Sequence, residues 1–416
     1  MKRILIIFLT SLLLVACGTP SAERDKAVAT PTATAIPDAD VEKESGKQTP
    51  AATIKDGKFK FHIKDSIELD DVEIDGHKYE FIVYKEQKDN SVRVLAAGMK
   101  GKNLIIPSEI EGKKVVAVGI NGINSSVDET NLGDDDYSKV WIAGKRDHKK
   151  KLIIPEGVEI ISDSSFKNTY FDEVVLPKSL KVIGTLAFTE TKIKKVILKS
   201  DDATILDGAF CLSTLKEIIF PPNYHGKMGL YTFDKSGLES FDWPDSNHSV
   251  GYENMVNETI PNDGPYLRNC KKLKKIRFPE NQKEIQINDY ALQGCQSLKK
   301  LVFPASTEKV SYGNTFYADN HKKAPEALVF QGGKTKLVVP KDSCYVDGNG
   351  KTRKIITAGK IVAPKNSEVL KAAKSMWKIK EFMQDHIDVI EGKEQHGGFE
   401  WDDETIEYTK VKIVEY

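Results

Sequence analysis

The sequence predicts a mainly β (α+β) repeat solenoid, and three observations carry the prediction. Two neighbouring windows, Asp172–Phe188 and Thr191–Pro221, read almost alike. In the first, Glu173-Val174-Val175-Leu176-Pro177 leads to Leu180, Ile183-Gly184 and Ala187-Phe188; in the second, Lys195-Val196-Ile197-Leu198 leads to Ile205, Ala209-Phe210, Ile218 and Phe220-Pro221. Self-similarity at a period of about 22 residues marks stacked units, none of which can bury its apolar face alone. Second, each short apolar run has the length of a four- or five-residue strand that points alternate side chains into the stack. Third, most runs end in Pro, which cannot donate to a strand ladder and so terminates it.

The elements follow in chain order. Lys2 and Arg3 precede an apolar run, Ile4–Val15, that closes on Leu14-Val15-Ala16-Cys17-Gly18. The run is too short for a bilayer core, which needs roughly 20 residues, so it predicts an export signal over residues 1–16. Its end resembles the lipobox of bacterial lipoproteins: an aliphatic residue, two small or apolar residues, then Cys. That resemblance implies cleavage before Cys17, acylation of Cys17 and a chain held at the membrane outside the cytoplasm. Residues 17–53 are rich in Thr, Pro, Ala and Ser and poor in large apolar residues. Such a composition cannot offset its ordering entropy, and it predicts a disordered stalk.

Residues 54–102 lack the repeat but alternate, as in Tyr79-Glu80-Phe81-Ile82-Val83-Tyr84, with Asp75-Gly76 as a hairpin turn. They predict a β-rich N-terminal cap. The repeats occupy residues 103–364, with strands at Leu104-Ile105-Ile106-Pro107, Leu152-Ile153-Ile154-Pro155, Val174–Pro177, Val196–Leu198, Ile218–Pro221, Phe241–Pro244, Ile276–Pro279, Leu301–Pro304 and Leu337-Val338-Val339-Pro340. A small residue followed by Phe, as in Ala187-Phe188, fills the opposite side of each early unit.

These residues resemble the BspA-type leucine-rich-repeat family, whose unit reads roughly L-x-x-I-x-(I/F)-P, then an aliphatic residue, I-G, A-F, and a Cys or polar residue before the next Leu. Leu215-Lys216-Glu217-Ile218-Ile219-Phe220-Pro221 and Tyr290-Ala291-Leu292-Gln293-Gly294-Cys295-Gln296-Ser297-Leu298 fit it closely. The likeness spans about Leu104–Pro364 and implies a leucine-rich-repeat solenoid that adheres to proteins of a host or neighbouring cell. Lys199 departs from it where Pro is expected, and insertions at Asn121–Lys150, Asp245–Pro265 and Ala305–Glu326 interrupt the period. Residues 365–416 predict a C-terminal cap. Val369, Leu370, Ala373, Met376, Trp377, Lys380, Phe382, Met383 and Ile387 fall at helical spacing behind Ser367 as N-cap, and Glu407–Tyr416 alternates like an edge strand.

No catalytic constellation emerges, so a non-enzyme without cofactor or metal is expected. The eight His form no metal-binding motif, and neither a nucleophile elbow nor a phosphate-binding Gly loop is present. Asp347-Gly348-Asn349-Gly350 reads as a β-turn, because Lys351 stands where a calcium loop needs oxygen. Lys+Arg and Asp+Glu balance at 61 each, which gives no global reason for a nucleic-acid partner. Cys270 and Cys295 occupy equivalent repeat positions and are left either as buried thiols or as a bridged pair.

Function therefore rests on surface. If Ile218 and Phe220 point inward, alternation sends Glu217 and Ile219 outward. The same register predicts an outward aliphatic column of Ile105, Ile153, Val175, Ile197, Ile219, Val302 and Val338, broken by Asp242 and Arg277, beside a basic corner of Lys275, Arg277 and Lys300. Ile153, Val175, Ile197, Ile219, Lys275, Arg277 and Lys300 are accordingly the candidate binding residues. The expected partner is an extracellular or cell-surface protein engaged by a lipid-anchored, surface-exposed monomer. A carbohydrate or cell-wall ligand held by insertion aromatics such as Tyr252 and Tyr266 is the alternative.

Overall fold

Alternation along each apolar run sets Val174, Val196 and Ile218 on one line, and the backbone pairing follows. In the computed structural model Glu173 pairs with Lys195 and Lys195 with Glu217, all in parallel, 22 residues apart at each step. The structure describes residues 52–55, 58–61, 65–99, 101–120, 149–244, 267–287, 291–313, 325–340, 344–346, 352–382 and 406–416. The chain divides into two units, Met1–Lys47 and Gln48–Tyr416, and every described residue belongs to the second. Cys17, the stalk up to Ala51, most of the three insertions, Asp347–Lys351 and Ile387 lie outside the described residues, while Ala52 and Thr53, expected in the stalk, belong to a strand, Ala52–Lys55, paired with Lys58–Phe61.

Asn103–Ile105, Lys149–Ile153, Phe171–Leu176, Lys195–Leu198 and Glu217–Ile219 form a five-stranded parallel sheet. Ser240–Asp242 and Lys275–Arg277 form a two-stranded one, and Lys300–Phe303, Ala327–Phe330, Lys360–Ala363 and Lys412–Glu415 a four-stranded one. These three sheets make one file, because Glu217–Ile219 packs against Ser240–Asp242 and Lys275–Arg277 against Lys300–Phe303.

A second ladder runs through the repeats. Lys113–Val118, Ile160–Ile161, Val182–Ile183 and Thr204–Ile205 pair in parallel, and further along so do Glu284–Ile287, Lys309–Tyr312 and Lys336–Val338. The Ile-Gly element of the repeat sits here. A Cβ on Gly184 would lie 2.5 Å from the backbone nitrogen of Asp163, so only glycine lets successive turns close to this spacing. The N-terminal cap joins this ladder directly: Ile67–Ile74, His77–Glu86 and Val92–Met99 are antiparallel to one another, and Val92–Met99 pairs in parallel with Lys113–Val118. Asp75 and Gly76 make the expected hairpin turn, with φ of 53° and 72°, both in the left-handed region a type I′ turn demands.

Between the ladders lies an aromatic spine. Phe166, Phe188, Phe210 and Phe233 stack with centroids 5.2, 5.2 and 5.7 Å apart and planes within 10°. The spine then crosses the core through Phe241 and Trp243 to Phe278, Phe303 and Phe330, which sit at strand ends. Where strand ends are aliphatic, as at Leu176 and Leu198, the turn supplies the ring; where strand ends are Phe, the turn supplies Leu267 or Leu292, and all of these side chains are buried. The rings carry the packing from layer to layer, and the crossing layer holds two, Phe241 and Trp243, which meets the demand for close packing.

The Cys or polar position of the repeat has an equally local cause. Thr169, Thr191 and Ser213 each donate a hydroxyl to the carbonyl three residues back, at 2.6, 2.8 and 2.7 Å. In the later units Cys270 and Cys295 replace them as free thiols and point at the carbonyls of Phe233 and Leu267 in the preceding layer, at 3.2 and 3.0 Å.

Four expectations are corrected. The C-terminal helix is only Glu368–Ala373, capped by Ser367, whose side chain accepts from the Leu370 amide. Met376–Phe382 is a strand instead, parallel to Thr352–Ile355 and antiparallel to Ile406–Lys410, because two partner strands offer its backbone more than a lone helix would. The closing segment is two strands, Ile406–Lys410 and Lys412–Glu415, divided at buried Val411; the second extends the main file. Finally, the interruption expected at Ala305–Glu326 opens with a regular strand, Lys309–Tyr312, and Leu337–Val338 belongs to the second ladder, not the first.

Candidate functional site

The outward face of the main file is built from two positions in each strand. Register places Ile105, Ile153, Val175, Ile197 and Ile219 in one row, continued by Asp242 and Arg277 and then by Val302, Val329, Val362 and Val414. Their neighbours in sequence are fully buried or nearly so, as with Val174, Val196, Ile218 and Leu301, while the row itself is half-buried to exposed; Ile219 reaches 39%. Ile153, Val175, Ile197 and Ile219 thus stand side by side, as alternation requires. Val338 does not join them: it lies in the second ladder opposite Ser311, and Val329 takes the place expected for it.

The second outward row carries charge. It runs Asn103, Lys151, Glu173, Lys195, Glu217, then Ser240 and Lys275, then Lys300, Ala327, Lys360 and Lys412. In its first half every lysine has a glutamate: Lys151 Nζ lies 2.8 Å from Glu173 and Lys195 Nζ 3.5 Å from Glu217. In its second half Lys275, Lys300, Lys360 and Lys412 have no ion-pair partner among the described residues. Arg277, by contrast, is held by Asp242, whose carboxylate keeps its guanidinium even more firmly protonated than usual. The basic corner is therefore not Lys275, Arg277 and Lys300 alone. Arg277 is neutralised in place, and the positive row instead runs on through Lys360 and Lys412. Sequence reading missed these two because it took Leu337–Pro340 as the next strand of this face and Glu407–Tyr416 as a terminal edge strand; Pro364 after Lys360–Ala363 and the shared Lys-aliphatic-Val triplets, Lys360-Ile361-Val362 and Lys412-Ile413-Val414, were the available signal.

Among the described residues no group of three or more His, Cys, Asp or Glu converges on a point where a metal could sit. The buried carboxylates have structural partners. Asp163 Oδ1 accepts from the Thr185 amide at 2.7 Å, and Asp207 Oδ1, at the equivalent place two layers on, accepts from the Leu230 amide at 2.7 Å. Burial raises the pKa of Asp207, and that of Asp234 in spite of Arg268, Asn269 and Lys235 beside it. Burial likewise pushes the Cys211 thiol up to about 12, far from the nucleophilic thiolate range.

A family profile described as "BspA type Leucine rich repeat region" matches residues 145–261 and 263–323, in six copies. Residues 145–261 and 263–323 are BspA-type leucine-rich repeats. The matched residues include Ile153, Val175, Ile197, Ile219, Lys275, Arg277 and Lys300 of the outward face. No curated protein matches the chain. Three solved structures are similar to it at low identity. The leucine-rich-repeat protein TpLRR of T. pallidum shares 20% identity at a TM-score of 0.33, over 56% of this chain and 86% of its own. A leucine-rich-repeat protein of Bacteroides ovatus shares 17% at 0.23, over 68% and 94%. A leucine-rich cell-surface protein of Faecalibacterium prausnitzii shares 15% at 0.21, over 61% and 88%.

Proposed function

We propose that the chain is a non-enzymatic protein-interaction module, displayed outside the cytoplasm on a lipid anchor at Cys17, that uses the outward strand face as an adhesin-like binding surface. The observation that carries this reading is the row of Ile105, Ile153, Val175, Ile197 and Ile219, aliphatic side chains aligned on adjacent strands and half-buried to exposed. β-Branched residues suit strands for their own sake, yet a contiguous apolar row rimmed by charge is also what protein interfaces are made from. The lipobox supplies the location: two or more acyl chains, at about 0.8 kcal/mol per buried methylene, hold a protein durably where one would not.

The test is the double substitution Ile197→Asp with Ile219→Asp. Both side chains already reach solvent, so thermal unfolding stays cooperative, while two carboxylates in the middle of the row abolish capture of surface proteins from host and bacterial envelope fractions. A folded double mutant that captures the same proteins as wild type removes the strand face as the site.

A further inference from the structure

We propose that the partner engaged by the isoleucine row also reaches the C-terminal half of the strand face, where it lays down an acidic, apolar-alternating polypeptide segment; this rests on the reading of that face as a binding surface. The fold treats the two halves differently. From Asn103 to Glu217 the charged row is neutralised by cross-strand ion pairs, whereas Lys275, Lys300, Lys360 and Lys412 stand without a described acidic partner. Lys360 and Lys412 are direct register partners, two like charges on adjacent strands, an arrangement that costs stability. The upstream strands show the alternative this chain uses, a glutamate opposite each lysine. The row keeps two groups of like charge, Lys275 with Lys300 and Lys360 with Lys412, separated by the strand of buried Ala327; with adjacent strands about 4.8 Å apart, they create a positive potential that complements an anion and steers its approach.

The second row decides which anion. Val302, Val329 and Val362 lie beside the lysines in the same strands, half-buried and facing the same way. A phosphate or sulfate polymer has nothing to place on them. An extended polypeptide alternating acidic and apolar side chains does: its carboxylates meet the lysine row and its apolar groups the valine row, with the lysine stems adding apolar contact of their own.

The probe is a synthetic peptide alternating Glu and Val, titrated against the full-length protein in detergent, with inorganic polyphosphate as the competing chemistry. Wild type binds the peptide with an affinity that falls steeply as salt rises. Lys300→Glu with Lys360→Glu weakens it at least about tenfold. Val329→Ser with Val362→Ser weakens it as well, and exchanging an ion pair beside the second ladder, Lys181→Glu with Glu159→Lys, leaves it unchanged. Should the glutamate variant fold poorly by circular dichroism, Lys300→Gln with Lys360→Gln carries the same expectation at smaller size. Equal binding by the charge variants overturns the proposal, as does tighter binding of polyphosphate that ignores the valine substitutions. If Ile197→Asp with Ile219→Asp abolishes capture of surface proteins while the lysine variants do not, the strand face stands as a binding surface and only the acidic partner falls.

Discussion

At the scale of single residues the repeat is a set of local bargains between backbone groups and short side chains. Asp207 is the clearest case. Its carboxylate satisfies the Leu230 amide, but burial raises its pKa more than that hydrogen bond lowers it. The folded state therefore holds the proton more tightly than the unfolded chain, whose carboxyl titrates at about 4. As pH rises from there through the raised folded value, the native protein must surrender a proton it favours, and stability falls; Asp234 adds to the same trend. Asp207→Asn keeps an oxygen for the Leu230 amide and removes the charge. Urea unfolding of the variant is expected to match wild type at acid pH and to exceed it at neutral pH. A variant equally destabilised at every pH would mean that the second carboxylate oxygen, not the charge, is what the site needs.

At the scale of elements the unit of stability is the layer, and the aromatic spine is what couples one layer to the next. Phe210 is fully buried and stacked on both sides, by Phe188 and Phe233. Phe210→Ala is expected to cost about 3–5 kcal/mol, since neighbours held by two ladders cannot collapse into the space. Leu212→Ala, two residues on and 46% exposed, is expected to stay within about 0.5 kcal/mol. Denaturant midpoints for the two variants separate a layer-coupling ring from an ordinary turn residue. This level was largely legible in the sequence, because Pro-terminated strands and Ala-Phe turns recur in unit after unit. What escaped had physical reasons. The second ladder's strands at Ile160–Ile161, Val182–Ile183 and Thr204–Ile205 are too short to show a period. Ala327–Phe330 ends in Gln331 and Gly332, so its stop signal is absent. Met376–Phe382 follows a real helix and inherits its apparent spacing, although strand partners far along the chain decide its conformation. The candidate site shared this fate: its first half followed from alternation alone, and its last two lysines lie in strands that sequence did not assign to the main file.

At the scale of the whole molecule, the question is which side of the envelope the strand face meets. On the proposed reading the chain is attached through Cys17, and in sequence the Thr/Pro/Ala-rich segment lies between Cys17 and the repeats. Segments of that composition are where proteases cut first, whereas a stacked array whose amides are paired in two ladders offers few open sites. Surface display therefore predicts a particular result when protease is added to intact cells. The region beyond Thr53 is released as one large fragment, and a short acylated stub stays with the membrane. Cys17→Ser, which cannot be acylated, is expected to shift the protein from the membrane fraction to the soluble one, since the acyl groups are the proposed anchor. Protection of the repeats in cells whose other surface proteins are readily shaved would place the strand face inside the envelope. A partner drawn from the cell's own envelope would then replace a host protein as the ligand, because only components on that side could reach the isoleucine and lysine rows.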